Sequence, residues 1–109
     1  MALIRAMSDS SGGGGDSTYS FTTKTVTGIK NQGDYYIADI TNNHTFAFFV
    51  EQANIYGCIE IINGTENYSY DSSNHYGYLT VSAGKLYYHR SNSSGGSYNV
   101  NVLIFEATT

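Results

Sequence analysis

The chain has no proline, a single cysteine at Cys58, and charge on only 13% of its 109 residues. Each scarcity excludes something. One cysteine rules out any disulfide within the chain and any four-cysteine zinc site. The fold must therefore stand on packing and hydrogen bonding. Small secreted domains commonly lean on disulfides, so this usage fits folding in a reducing cytoplasm. Without proline the edges of a sheet lose a common means of being blunted, and with few lysines they stay open to pairing. The charge content falls well below the roughly 25% of an average soluble domain. Five basic residues, Arg5, Lys24, Lys30, Lys85 and Arg90, are scattered, and the formal net charge is -4. Nothing resembles a basic stripe that neutralises phosphates, so nucleic-acid binding is not expected. No run approaches the ~20 apolar residues of a membrane-spanning helix. The opening Met1–Met7 is interrupted by Arg5 and is too short for the apolar core of a signal peptide. Membrane insertion is not expected either.

What the chain does contain is tyrosine, threonine, serine and asparagine, with 40% apolar residues, enough to fill a core. The 11 tyrosines supply aromatic faces that can cover an interior and still hydrogen-bond water or a ligand. Ser8 to Ser17 reads Ser-Asp-Ser-Ser-Gly-Gly-Gly-Gly-Asp-Ser, with almost no side chain to offset the entropy of ordering its backbone. Residues 1–17 are read as an N-terminal arm and glycine-rich linker. Residues 18–109 are read as one domain, since a chain this short holds one core.

From Thr18 onward the apolar residues alternate with period two, and no stretch keeps helical spacing. The expected strands are Thr18 to Thr27, Asp34 to Thr41, Thr45 to Glu51, Ile55 to Ile62, Asn67 to Tyr70, Tyr76 to Ser82, Lys85 to Arg90 and Tyr98 to Glu106. Gly28 to Gly33 is expected to turn the chain between the first two. Tyr36, Ala38 and Ile40 should share a face opposite Tyr35 and Ile37. Thr45 to Glu51, with Phe46, Phe48, Phe49 and Val50, is the most apolar segment and is expected at the centre of a sheet. Asn63-Gly64 is a strong hairpin signal and Ala83-Gly84 a second turn. Lys85 to Arg90 is expected, by proximity, to pair with Tyr98 to Glu106 across the polar loop Ser91 to Ser97. About eight short strands at this spacing predict an all-β, antiparallel, jelly-roll-like β-sandwich with an extended N-terminal arm.

Chemistry is sparse. His44, His75 and His89 share no metal-ligand spacing, so no metal site is expected. Cys58, between Gly57 and Ile59 in a strand, reads as a small buried hydrophobe rather than a nucleophile. Glu60 is either buried with a raised pKa or lines a partly exposed sheet face with Cys58 and Ile62. Gly12 to Gly15 lacks the Lys-Ser/Thr of a phosphate loop, and the triplets at Asn43, Asn63, Asn67 and Asn92 are those an Asn- and Ser-rich chain produces by chance. No catalytic residue and no cofactor is expected, and the chain does not read as an enzyme. The residues that suit binding are Tyr70, Asp71, Tyr76, Tyr87, Tyr88 and Arg90, because aromatic faces stack on sugar rings while Asp and Arg bond hydroxyls.

Met1-Ala2-Leu3-Ile4-Arg5-Ala6, followed within a few residues by Gly12 to Gly15 and a Tyr-, Thr- and Asn-rich β domain, resembles small virion proteins of tailed bacteriophages and prophages of Gram-positive gut bacteria. These are tail accessory or capsid decoration proteins. The specific part of the resemblance covers residues 1 to 15. It implies synthesis in the bacterial host cytoplasm, a place in the virion, and an arm whose Leu3, Ile4 and Met7 anchor the domain to neighbouring subunits of a homo-oligomer. The alternative from another class is a carbohydrate-binding module for a host-surface glycan, with Tyr70, Tyr76, Tyr87 and Tyr88 as its platform.

Overall fold

The period-two alternation becomes strand in the computed structural model, which describes residues 19–52, 55–73, 76–91 and 96–107. Eight strands follow one another: β1 (Tyr19–Ile29), β2 (Gly33–Asp39), β3 (His44–Gln52), β4 (Ile55–Ile62), β5 (Thr65–Asp71), β6 (Gly77–Ser82), β7 (Lys85–Arg90) and β8 (Tyr98–Ala107). There is no helix among the described residues. The arm lies outside them, as do His75 and Asn92.

Two tight turns fix two of the hairpins. Asn63 and Gly64 have φ of 52° and 80°, and Ala83 and Gly84 have φ of 51° and 74°. Positive φ at both central residues is the turn whose twist matches the flanking strands. Asn-Gly adopts it readily, whereas an alanine there carries a Cβ into the left-handed region. A longer turn joins β1 to β2. The first strand runs through Gly28 to Ile29, so the turn shrinks to residues 30–32. The Tyr35 hydroxyl pins it, accepting from the backbone N–H of Asn31 at 3.0 Å and donating to the Asn31 carbonyl at 2.8 Å.

The strands form a five-stranded sheet in the order β1-β8-β3-β4-β5 and a three-stranded sheet in the order β2-β7-β6. All pairs are antiparallel. β3 is the middle strand of the larger sheet, as its apolar content predicts. The pairing expected between Lys85–Arg90 and Tyr98–Glu106 does not occur. β7 is closed on both edges, by β6 through the Ala83-Gly84 turn and by β2. β8 crosses to the other sheet and inserts between β1 and β3. The reason lies in β8 itself. Val100, Val102 and Ile104 point one way while Leu103 and Phe105 point the other, and a strand apolar on both faces gains most in an interior position.

The two sheets share one core. Ile37, Ile40, Leu79, Leu86 and Tyr88 come from the smaller sheet or its flanks, and Ala47, Phe49, Ile59, Ile61, Val100, Val102 and Ile104 from the larger. The Phe49 and Tyr88 rings meet edge to face between the sheets, centroids 5.5 Å apart. In β2 the register against β7 shifts between Tyr36 and Ala38, so Ile37 sinks into the core while Ala38 packs against it as well. That bulge breaks the simple two-face rhythm expected for Tyr36, Ala38 and Ile40. The three-stranded sheet is too narrow to cover the whole of the five-stranded one. β1, at the edge, keeps Thr22 and Lys24 exposed on the side that faces inward further along the sheet.

Ala83→Gly should stabilise the domain by about 1 kcal/mol, because it removes the Cβ from a left-handed position; an unchanged or lower midpoint in urea would contradict this turn. Gly77→Ala should do the opposite. An added Cβ would collide with the His89 carbonyl oxygen and the Tyr88 ring, at a cost of about 1–3 kcal/mol in the same melt.

Candidate binding face and interior tyrosine node

Strand register turns separated residues into rows across the outer face of the larger sheet. Phe21, Phe105, Phe46, Glu60 and Tyr68 align across β1, β8, β3, β4 and β5. The next row is Thr23, Leu103, Phe48, Cys58 and Tyr70. Val50 and Tyr56 begin a third. The rings touch along this face: Phe21 and Phe105 at 4.8 Å between centroids, Phe48 and Phe105 at 6.3 Å, Tyr56 and Tyr70 at 6.3 Å. No element among the described residues covers them. Phe21, Tyr56, Tyr68 and Tyr70 are each about half exposed, at 54%, 47%, 49% and 48%. Outward-facing side chains of an antiparallel sheet are ordinarily polar, so this face is inverted in character.

Within it lies a groove of about 320 Å³, lined by Phe48, Tyr56, Gly57, Cys58, Tyr68 and Tyr70. Its floor is the β4 backbone and its walls are aromatic rings from β3, β4 and β5. Cys58 is half-buried rather than a core residue, because Gly57, Ile59 and Ile61 take the inward positions of β4. Burial raises its thiol pKa, and the Asp71 carboxylate raises it further. At neutral pH the thiol form therefore predominates.

Beside the groove, Glu60 is on the outer face yet only 5% exposed. The register of β4 against β5 shifts between Glu60 and Ile61, leaving Asn67 unpaired in the ladder. The bulge aims Asn67 at Glu60: its side-chain amide donates to Oε1 at 2.8 Å, and His44 Nε2 meets Oε2 at 2.9 Å. The carboxylate is thus closed in by two partners. β3, β4 and β5 together carry Glu51, Glu60, Glu66 and Asp71 and no lysine or arginine; of these, Glu60 is the carboxylate on the groove's own face, since Glu51 turns inward to Tyr88 and Glu66 and Asp71 lie opposite the inward Ile61 and Gly57.

The structure does not bring the six residues favoured for binding into one surface. Tyr70 is in the groove. Asp71 lies opposite Gly57 on the neighbouring strand. Tyr87 is on the outer face of the smaller sheet, its ring 6.2 Å from Tyr36, near the ion pair of Lys85 with Asp39 at 2.8 Å. That lysine holds the Asp39 carboxyl below its usual value, with the Tyr36 hydroxyl adding to the effect. Tyr76 is at the end of the domain, 5.7 Å from the Tyr98 ring. Tyr88 and Arg90 are interior, at 0% and 1% exposure.

Those two build a polar node between the sheets. The Tyr88 hydroxyl donates to Glu51 of β3 and meets the Tyr98 hydroxyl of β8 at 2.8 Å. Glu51 also accepts the backbone N–H of Tyr76 at 3.2 Å. Arg90 lies over the Tyr98 ring at 4.9 Å and donates to the carbonyls of Ile29 at 3.0 Å and Gly96 at 3.3 Å. Its charge is used inside the fold and is not offered to a ligand. Leu3, Ile4 and Met7 lie outside the described residues. Among those described, no three histidine, cysteine or acidic side chains gather as a metal site would require.

Phe48, Tyr56 and Cys58 are the groove residues that sequence reasoning passed over as binding residues, whereas Tyr68 stands in the Asn67–Asp71 run whose tyrosines suggest binding. The signal was present, since Tyr56 and Cys58 alternate with the inward isoleucines and the Asn63-Gly64 turn sets β5 against them. Comparison with known proteins gives no match to a family model, to a curated protein or to a solved structure.

Burial, then the hydrogen bond to Glu51, raises the Tyr88 pKa far above its ordinary value of 10.0. The folded chain therefore holds this proton after the unfolded chain has released its own. The stabilisation is complete below about pH 10 and is lost as pH climbs above it, by up to about 1.4 kcal/mol per pH unit for one proton. Tyr88→Phe should cost about 1–3 kcal/mol at neutral pH by stranding its partners, and should flatten this alkaline decline in denaturant melts at pH 9 to 11. An equally steep decline in the variant would exclude the node as its origin.

Proposed function

We propose that this chain is a non-enzymatic virion structural protein of the tail-accessory or capsid-decoration kind, built as a jelly-roll-like β-sandwich and held to neighbouring copies by its N-terminal arm. The strand order supports the sandwich reading: first beside last (β1-β8) and second beside next-to-last (β2-β7) is the nesting that jelly rolls use, although β4 and β5 here extend the larger sheet. The observation that carries the functional reading is the uncovered aromatic face of that sheet. Contiguous exposed apolar surface on a small domain marks an interaction site, and here the face follows an arm that is itself apolar at Leu3, Ile4 and Met7.

β1 adds to this reading. It is an eleven-residue edge strand, mostly exposed, paired among the described residues only with β8, and without proline. Such an edge favours association in series with other copies. A domain of this kind displays its loops and the polar face of the smaller sheet outward while the arm and the larger sheet hold it in place.

Deleting residues 1–11 tests the anchor. The full chain should sediment as a homo-oligomer and the truncated chain as a monomer of unchanged thermal stability. A truncated chain that assembles as well as the full one, or a full chain that is monomeric at high concentration, would sink the proposal.

A further inference from the structure

From the geometry we infer that the groove between Phe48, Tyr56, Cys58, Tyr68 and Tyr70 is the receptor for the N-terminal segment Leu3–Met7 of a neighbouring copy. This rests on the anchoring role proposed above and gives the arm a specific seat.

Complementarity is the first support. The groove walls are largely carbon, and no charged side chain lines it. A neutral sugar would leave most of its hydroxyls facing carbon, whereas Leu3, Ile4 and Met7 are apolar side chains ahead of the core. Arg5, the one charge among them, would meet no lysine or arginine on β3, β4 or β5.

Reach is the second. Tyr19 opens β1 at one edge of the sheet, and Cys58 lies three strands away and four residues further along the register. At about 4.8 Å between strands and 3.3 Å per residue, that is about 20 Å. Residues 8–18 form an eleven-residue connection whose span as a Gly/Ser-rich coil is about 17–20 Å and whose limit is about 36–40 Å. The linker is therefore long enough for a seat at this distance. It leaves the sheet at the β1 edge, opposite the groove, so its own groove lies back across β8 and β3. A copy standing against the β1 edge requires no such reversal. That reversal, together with the homo-oligomer proposed above, is why the seat is assigned to a neighbour, and the linker keeps the segment at high effective concentration once one contact has formed.

Cys58 makes the seat measurable, since Met7→Cys in the full chain creates the only other thiol. Mild oxidation of that variant should link copies, through the introduced thiol of one and Cys58 of the next, into dimers and longer ladders on non-reducing gels. The ladder should be absent when Cys58→Ser is added. Tyr70→Ala, at an exposed edge position that leaves the core intact, should weaken self-association about tenfold or more. Leu3→Ala should do the same, and the pair together should add little. A disulfide within one chain would overturn the assignment to a neighbour. An oligomer that persists while the introduced thiol forms no link to Cys58 would place the arm elsewhere, on a strand edge for instance, and overturn the groove while leaving the anchor intact. Protection of Cys58 from alkylation by neutral oligosaccharides, unaffected by Leu3→Ala, would give the groove to a glycan instead. Retention of assembly after removal of residues 1–11 would defeat the anchoring role itself.

Discussion

The hydroxyl of Tyr88 is the point at which the two sheets are tied. It belongs to the middle strand of the smaller sheet, yet its partners, Glu51 and Tyr98, come from two adjacent strands of the larger one. A hydrogen-bonded tyrosine in this position does what a leucine could not. It fills core volume through its ring, which meets Phe49, and it sets the alignment of three strands through its oxygen. Gly77 is small because the Tyr88 ring lies where a side chain would go. Arg90, two residues further along β7, extends the same tie to the end of β1 and to Gly96. With no disulfide available, this node supplies directional links between the layers that apolar packing lacks.

The node also explains why tyrosine content is a poor guide to a ligand surface here. Tyr88 and Arg90 look like binding residues in a run of Tyr-Tyr-His-Arg, but alternate positions on one strand serve opposite faces. Tyr87 and His89 go outward, and Tyr88 and Arg90 go in. The strands themselves were legible, because period-two patterning and the Asn63-Gly64 turn are local. β3 was placed at the centre of a sheet by its phenylalanines alone. The partner of β8 was not legible, because nothing near Ser91–Ser97 states that the chain leaves one sheet for the other. That choice is made by long-range burial of both faces of β8. The bulges at Ile37 and Asn67 were equally hidden: each depends on what the neighbouring strand presents.

The outer face of the larger sheet follows from the same division of labour. The core cluster is built from inward residues such as the isoleucines, valines and Phe49; the outward Phe48, Phe105, Tyr56, Tyr68 and Tyr70 lie outside it, while Phe46 on the same face is buried. Their spacing is set by register alone, and Glu60, held between His44 and Asn67, is the charged residue in these two rows. A fold that needed only to be stable would place threonine or lysine at these positions. The aromatic rings there are what the proposed self-association would use.

The groove lies toward the β5 edge of the sheet, and the chain enters the domain at the β1 edge. If the groove receives the arm of another copy, as proposed, donor and acceptor stand at opposite edges of one layer and are unlike surfaces. A pair of copies satisfies both at once only by laying outer face against outer face, which closes the assembly at two. Copies set edge to edge leave one donor and one acceptor free at the ends of every chain of contacts. Such contacts are head-to-tail, so the series closes into a cyclic ring if the rotation per subunit divides a full turn and otherwise runs on as a helical filament. In an assembly of the proposed kind, a tether rich in glycine would be compatible with several such rotations, and the symmetry would then be set by the scaffold on which the copies sit.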